Sequence, residues 1–516
     1  MNIKEAKREI TNTLRAYLAK DDLGNYLIPP VRQRPVLLMG PPGVGKTQIM
    51  EQVAAETGVG LVSYTITHHT RQSAVGLPFI EKRTYGGETY SVTEYTMSEI
   101  LASVYQLMEK TGLREGILFL DEINCVSETL APMMLQFLQC KTFGNQRLPE
   151  GWLIAAAGNP PEYNRSVRDF DVVTLDRVKR IDVREDFAVW KEYALQKGLH
   201  GAVVSYLDIR RENFYRVEPM AEGIQFATAR GWEDLSELLC VYEALGLKAD
   251  REVVGQYIQL PRIARDFANY LDLYNKYQKI YHVDEILTGT WRPITVRELR
   301  AAPFDEKLSV LGLLLSRLRS SARETRRQDA LCESLHAALT DFKQALASGE
   351  DPLETLDVLA RQRRDRLEKL REAGQLDKSR QALAQRELRA LEDYRRRLSG
   401  AAGSGAAMDA VRGWFGQEVE QRAALARKAG DELDHAFRFL EETFGQGQEL
   451  VVFVTELTAC ADTSWFVEVF GCDAYFRHNR ELLYDDTRRR IQEDIRAARA
   501  AEYQPGNGQE QEEEHV

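Results

Sequence analysis

Residues 40–47 read Gly-Pro-Pro-Gly-Val-Gly-Lys-Thr and directly follow the apolar run at residues 35–39. A buried strand, a glycine-rich turn and a following helix form the arrangement in which backbone N–H groups cradle phosphate oxygens. In this geometry Lys46 reaches the outer phosphates and Thr47 can ligate Mg²⁺. The sequence therefore predicts a nucleotide-phosphate site made by consecutive residues: Gly40, Pro41, Pro42, Gly43, Val44, Gly45, Lys46, Thr47 and Gln48.

A second apolar segment, residues 116–120, ends in the acidic pair Asp121 and Glu122, as a Walker B strand does. At the carboxyl end of a strand, Asp121 is expected to hold Mg²⁺ beside Thr47. Glu122 is expected to orient and deprotonate the attacking water. Nucleotide binding needs only the aspartate, so the pair predicts ATP hydrolysis with Mg²⁺.

A third apolar segment, residues 152–157, ends in Gly158-Asn159-Pro160. The amide of Asn159 is predicted to hydrogen-bond the γ-phosphate or the attacking water, since the carboxyl ends of parallel strands meet at one edge of a sheet. The alternative is that Asn159 only forms a turn before proline, which is a frequent use of asparagine.

Hydrolysis also requires a cation for the charge that builds on the transferred phosphoryl group, and a neighbouring subunit often supplies it. The candidates are Arg165, Arg168, Arg177 and Arg180. We favour Arg177, just before the strand-like residues 178–183; its alternative role is a surface salt bridge. Arg230 begins a predicted helix and is expected to reach back over the phosphates.

Four motifs, at residues 40–47, 120–124, 148–152 and 157–160, together resemble the MoxR branch of the AAA+ ATPases. The resemblance covers about residues 30–280. It implies an α/β P-loop AAA+ core with a five-stranded parallel sheet, a helical lid that carries Arg230, and a hexameric ring with nucleotide at the subunit boundaries. A hairpin over residues 141–149, with Gly144-Asn145 as its turn, is a hallmark of that family. The sequence departs from the commoner family pattern after Arg177 and before Arg230.

The same resemblance implies an activity: such ATPases remodel or mature partner proteins, often ones that carry a von Willebrand factor A domain. Two other functions stay open. One is a nucleic-acid-associated AAA+ subunit of a defence or restriction system, and the other is a nucleotide-switched assembly scaffold. The complete set of Thr47, Asp121, Glu122 and Asn159 argues against the scaffold, because a pure switch needs no positioned base.

The chain has 516 residues and 44 % hydrophobic residues, enough for several domains. We predict an N-terminal helix (1–33), the α/β nucleotide-binding core (34–184), a helical lid (185–285), a helical arm with an antiparallel coiled-coil hairpin (286–448), a small C-terminal domain (449–502) and a disordered acidic tail (503–516).

Several features of the remaining chain refine this organisation. In the arm, apolar stripes over residues 352–398 and 408–444 flank a glycine-rich stretch at 399–405, which predicts two helices that fold back on each other. Residues 450–454 read as a strand. Residues 79–95 predict a β-hairpin around Gly86-Gly87, either at the ordinary surface or lining a ring pore.

The charge pattern bears on partners. The formal net charge is −11, and the basic residues near Arg361 and Arg395 are interleaved with acidic ones. This pattern is typical of a solvated helical face, so we do not expect nucleic acid as a partner.

The cysteine spacing and the lengths of the apolar segments indicate the cellular compartment of the protein. The six cysteines show no paired C-x-x-C spacing. The first residues lack the apolar core of a signal peptide, and no segment reaches the apolar length of a membrane span. We therefore expect a cytoplasmic protein that is not embedded in a membrane.

Overall fold

The structure is a computed structural model that describes residues 1–68, 76–143, 146–163, 170–220, 223–375, 378–398 and 403–480. Its strands are β1 Val36–Met39, β2 Gly60–Thr65, β3 Pro78–Tyr85, β4 Glu88–Tyr95, β5 Gly116–Asp121, β6 Thr142–Phe143, β7 Gln146–Arg147, β8 Trp152–Gly158, β9 Lys179–Asp182, β10 Arg216–Met220 and β11 Gly223–Ala227.

The helices are α1 Ile3–Leu18, α2 Lys46–Thr57, α3 Glu99–Thr111, α4 Ala131–Cys140, α5 Val172–Leu175, α6 Phe187–Lys197, α7 Gly201–Ile209, α8 Ala229–Leu245, α9 Arg251–Tyr257, α10 Pro261–Ile280, α11 Val283–Leu287, α12 Pro293–Ala301, α13 Phe304–Ala347, α14 Pro352–Glu372, α15 Lys378–Arg397, α16 Ser404–Phe444, α17 Gln448–Ala459 and α18 Ala461–Phe470. The chain divides into two compact units, one of residues 1–272 and 327–423, the other of residues 273–326 and those from 424 onward.

The first unit contains a five-stranded parallel sheet in the order β2-β5-β8-β1-β9. Alternate side chains of β1 enter two different hydrophobic clusters: Val36 and Leu38 pack with α1 and α2, whereas Leu37 and Met39 pack with α3 and α4. Strands covered on both faces must be apolar throughout. This explains why the apolar segments at residues 35–39, 116–120 and 152–157 have no polar interruption. The predicted α/β core with its five-stranded parallel sheet is confirmed.

A helical segment follows the sheet, from α6 to the first part of α10. Its centre is aromatic: the ring of Trp232 lies 5.7 Å from that of Tyr206 and 5.2 Å from that of Phe267, measured between centroids. Thr228 caps α8, because its side-chain oxygen accepts from the N–H of Gly231 at 3.2 Å. The cap fixes where α8 begins and therefore places Arg230 in its first turn.

The helices after residue 326 in the first unit correct one prediction. Residues 352–398 do not form one helix: α14 ends at Glu372, and Gly374 takes a left-handed backbone with φ of 68°. This is a common helix stop that an apolar-stripe argument overlooks. α14 and α15 then run antiparallel, with Arg363 3.1 Å from Glu387 and Arg364 2.6 Å from Glu392.

The rest of the predicted arm includes α16. α16 packs in the same hydrophobic cluster as α13, α14 and α15. The rings of Tyr394 and Trp414 lie 5.7 Å apart between centroids. Residues 399–402 of the predicted turn lie outside the described residues, and Ser404 already belongs to α16. The predicted arm is also divided between the two compact units.

In the second unit, the predicted strand at residues 450–454 is wrong. These residues belong to helix α17, whose buried residues are Leu450, Phe453, Val454 and Leu457. That spacing is the i, i+3, i+4, i+7 pattern of a helix, but a five-residue apolar run alone fits either structure. α17 is held by Phe453, whose ring lies 5.2 Å from that of Phe437, and by an ion pair of 2.8 Å between Arg319 and Glu456.

Two predicted hairpins are present. β3 and β4 pair antiparallel, from Pro78 opposite Tyr95 to Tyr85 opposite Glu88, around the predicted Gly86-Gly87 turn. β6 and β7 pair just before β8, as expected for the second hairpin. Its predicted turn at Gly144-Asn145 lies outside the described residues, as do Arg165 and Arg168.

Within the described part of the chain, no single helix has the length and apolar character to cross a bilayer. The helices α17 and α18, which lie at 90° to each other, are long and apolar enough for a membrane span only when the two are taken together.

Candidate nucleotide site

The glycine-rich loop joins β1 to α2 and depends on two left-handed residues. Gly43 has φ of 77° and Gly45 has φ of 91°, conformations that side chains with a Cβ rarely adopt. Gly40 is needed for a different reason, because a Cβ there would lie 2.6 Å from the carbonyl oxygen of Val183. The loop can therefore turn tightly and present the start of α2 to a phosphate group.

Lys46 is the first residue of α2 and is buried, with 8 % of its surface exposed. Its ammonium donates to the carbonyl oxygens of Gly40 and Pro41, each at 2.8 Å, and to Oδ1 of Asn159 at 2.9 Å. Burial lowers the pKa of Lys46 to about 8, while the carboxylate of Asp121 opposes that shift. The lysine thus links the phosphate loop to the tip of β8.

Thr47, in the first turn of α2, meets Asp121 at the carboxyl end of β5. The Thr47 hydroxyl donates to Oδ2 of Asp121 at 2.7 Å. A hydroxyl and a carboxylate are hard oxygen ligands, and Mg²⁺ in nucleotide sites is usually held by one or two such groups together with water and phosphates. These two residues therefore fit the predicted metal ligands.

Glu122 follows Asp121 in an unusual backbone conformation, with φ of 56°. Its N–H donates to Oδ1 of Asp121 at 2.9 Å, and its Oε2 accepts from the hydroxyl of Thr67 at 3.0 Å. The turn separates the two carboxylates, so that each faces different partners. The sequence alone did not predict a role for Thr67, which lies just beyond β2. Its hydroxyl follows a strand adjacent to β5, and this position could have indicated it as a site residue.

Asn159 lies at the tip of β8, as its position in the sequence predicts. Besides its contact with Lys46, its carbonyl oxygen accepts from Nδ2 of Asn124 at 2.8 Å, and its N–H donates to Oδ1 of Asn124 at 3.3 Å. Asn124 is 3 % exposed. The structure therefore brings together Lys46, Thr47, Asp121, Glu122 and Asn159, and it adds Asn124 behind them.

The helical segment reaches the phosphate loop from the other side. A Cβ built on Gly43 would lie 3.4 Å from Cβ of Arg230, and the charge of Arg230 helps to lower the pKa of Lys46. Arg230 is exposed, and its charge also acts on the carboxylate of Asp234 further along α8. The hydroxyl of Tyr215 donates to the carbonyl oxygen of Pro42 at 3.0 Å. Tyr215 is a contact that the sequence analysis missed.

Arg177 lies elsewhere on the unit, between α5 and β9. Its guanidinium donates to the side chain of Gln139 on α4, and its side chain is exposed. This contact does not reach the phosphate loop, so a role for Arg177 toward a neighbouring subunit stays a prediction. Arg180 pairs with Asp182 at 2.8 Å within the same edge strand.

A cavity of about 270 Å³ lies beside the loop. Its lining includes Gly43, Gly45 and Gln48 from the loop and α2, Ile3 from α1, and Tyr193 and Phe214 from the helical segment. A cavity with mixed apolar and polar walls, adjoining a phosphate-binding turn, has the character of a site for a base and ribose.

The parallel sheet, the loop and the acidic strand end define a P-loop nucleotide-binding domain. Residues 36–175 match the family model described as ATPase family associated with various cellular activities (AAA). The chain therefore contains an AAA ATPase domain, a class that binds nucleotide, typically with Mg²⁺. No curated protein matches the chain.

Proposed function

We propose that this protein hydrolyses ATP with Mg²⁺ and uses the energy to remodel or mature a partner protein, in the manner of MoxR-like AAA+ ATPases. The observation that carries the ATPase part is the convergence of three strand ends: Thr47 bonds Asp121 at 2.7 Å, and Lys46 bonds Asn159 at 2.9 Å. One bound nucleotide could therefore be reached by the phosphate loop, by the acidic pair Asp121 and Glu122, and by the amide of Asn159.

Each residue has a distinct part in this proposal. Residues 40–48 hold the phosphates, with Lys46 on the outer ones, while Thr47 and Asp121 hold Mg²⁺, which supplies charge neutralisation when bound. Glu122 orients the attacking water and accepts its proton, and the amide of Asn159 contacts the γ-phosphate or that water. Arg230 supplies positive charge from the helical segment.

We further propose that the active protein is a ring of subunits, as AAA+ proteins commonly are, with Arg177 completing the site of a neighbour. Its exposed side chain, outside the phosphate site of its own chain, supports this assignment. A partner with a von Willebrand factor A domain is proposed from the resemblance to MoxR-like proteins alone.

The first experiment is steady-state ATP turnover per subunit, with Mg²⁺, over a wide range of protein concentration. We expect the rate per subunit to rise with concentration and to vanish in Glu122→Gln. Glu109→Gln is the matched control, since Glu109 is exposed on α3. A Glu122→Gln protein that turns over ATP at the wild-type rate would exclude Glu122 as the base.

A mixing experiment tests the arginine. Arg177→Ala and Glu122→Gln are each expected to be inactive, but mixed rings combine an intact Glu122 with a neighbour's intact Arg177. Recovery of turnover on mixing supports action between subunits, whereas full activity of Arg177→Ala alone places the cation elsewhere.

The partner is tested by stimulation of turnover. We expect a protein with a von Willebrand factor A domain to raise the rate, and double-stranded DNA to leave it unchanged at low and at moderate salt. Salt-sensitive stimulation by DNA would instead support the nucleic-acid-associated alternative.

A further inference from the structure

We infer that Asn124 is a positioning residue for hydrolysis, because its buried side chain holds the backbone of Asn159 at the tip of β8. The inference rests on the proposed ATPase function and adds to it a residue outside the predicted catalytic set.

The side chain of Asn124 makes two hydrogen bonds with the backbone of Asn159. Nδ2 of Asn124 donates to the carbonyl oxygen of Asn159 at 2.8 Å, and Oδ1 of Asn124 accepts from the N–H of the same residue at 3.3 Å. One amide thus binds both backbone groups of Asn159, as a neighbouring strand would. The backbone of Asn159 is therefore fixed in position and orientation, beyond the last paired residue of the sheet.

The support for this contact is itself rigid. The N–H of Ile123 donates to the carbonyl oxygen of Ala157 at 2.9 Å, which ties the turn after β5 to β8. At Gly158, a Cβ would lie 2.6 Å from Oδ1 of Asn124, so only glycine lets the asparagine come this close. Asn124 is 3 % exposed, and its amide cannot turn to water if the contact is lost.

The consequence reaches the phosphate site through one further bond. The side chain of Asn159 accepts from Lys46 at 2.9 Å, so the direction of its amide depends on the backbone that Asn124 holds. A polar group that acts in the transition state must be pre-positioned. Residues that orient metal ligands typically change affinity or activity about 10- to 100-fold, and we expect an effect of similar size from Asn124. Asn124 should therefore matter for turnover and much less for nucleotide binding.

The test uses two variants of the full chain and a matched control. Asn124→Asp keeps the shape and the acceptor but replaces the donated hydrogen bond with repulsion against the Asn159 carbonyl. Asn124→Ala removes both bonds. Asn275→Ala is the control, since Asn275 is exposed on α10.

The first readout is amide hydrogen exchange without nucleotide. In Asn124→Ala we expect the amide of Asn159 to exchange about tenfold faster or more, because its acceptor is gone, while amides at Trp152 to Ile154 in the same strand keep their protection. A merely structural role would loosen the whole of β8. Unchanged exchange at Asn159 overturns the inference, whatever the wild-type rate of ATP turnover.

The second readout is steady-state kinetics. We expect Asn124→Asp to lower kcat about tenfold or more with KM changed less than about threefold. Combined with Asn159→Ala, it should add little further loss, since both changes remove one unit. Wild-type kcat in Asn124→Asp, or fully additive losses, overturns the role. If the wild-type protein shows no turnover above its Glu122→Gln blank, the proposed function fails, and the role of Asn124 in hydrolysis fails with it; the exchange result still reports whether the contact exists.

Discussion

Replacing Lys141 with methionine should stabilise the protein at neutral pH. Lys141 directly follows α4 as its C-cap residue and is 7 % exposed; its ammonium donates to Oε1 of Gln33 at 3.3 Å. Burial, together with the nearby charge of Arg147, lowers the pKa of Lys141 from 10.5 to about 8. A charged lysine at this position therefore costs free energy in the folded state that it does not cost in the unfolded chain.

The free-energy cost of burying the charged lysine follows from the pKa of Lys141 in the folded state, about 8, and its ordinary value of 10.5 in the unfolded chain. Between pH 8 and 10.5 the unfolded chain binds more protons than the folded one, so this residue makes wild-type stability rise with pH over that window. At pH 7 the cost is about 3 kcal/mol, and at pH 9.5 it is about 1 kcal/mol. Losing the bond to Gln33 costs Lys141→Met about 1 kcal/mol at either pH. The net gain is thus about 2 kcal/mol at pH 7 and close to zero at pH 9.5.

Urea unfolding of wild type and Lys141→Met at pH 7, 8.5 and 9.5 measures this difference. Lys82→Met is the matched control: Lys82 is exposed on β3, and its replacement should leave the pH dependence unchanged. If Lys141→Met is less stable than wild type at pH 7, or if its advantage does not shrink by pH 9.5, burial of a charged amine is the wrong account of this site.

Three other substitutions test the site, and a fourth, outside it, provides a contrast. Tyr215→Phe removes the hydroxyl that bonds the phosphate loop, and it should raise the Kd of a fluorescent ATP analogue by up to about fivefold. Arg230→Gln should lower kcat about tenfold or more, with binding affected less, as a turnover and titration series will report. Gly40→Ala forces a Cβ against the Val183 carbonyl and should cost about 1–3 kcal/mol in urea unfolding. Gly255→Ala, with open space around it in a helix, should instead stabilise by up to about 1 kcal/mol.

The ATPase core could be predicted from sequence because its signals are local. A strand buried on both faces is apolar throughout, and the polar group that follows it must lie at the edge of the sheet. That argument predicted Asp121 and Asn159 as site residues, the phosphate-loop motif predicted Lys46 and Thr47, and the structure brings the four together. It required no knowledge of contacts between distant segments.

Tyr215 and Asn124 depend on contacts that no local pattern displays, whereas Thr67 lies just beyond a strand, where its hydroxyl was a local signal. Tyr215 is 173 positions from Pro42, and Thr67 is 55 positions from Glu122. Asn124 lay in a quoted motif but carried no predicted role, since its bonds go to the backbone of Asn159 and not to a side chain. The break between α14 and α15 was missed for another reason: a left-handed Gly374 stops a helix without interrupting its apolar stripe.

The helices after residue 326 in the first unit contribute to the ATPase fold itself. β2 is an edge strand, and edge strands expose N–H and carbonyl groups that invite unwanted pairing. The N–H of Leu61 donates to the carbonyl oxygen of Ala373 at 3.3 Å, and Nε2 of Gln375 donates to the carbonyl oxygen of Val59 at 3.0 Å. The turn after α14 therefore covers the beginning of the open side of β2. Because the same strand leads to Thr67, which bonds Glu122, the cover also supports the segment that holds the proposed base.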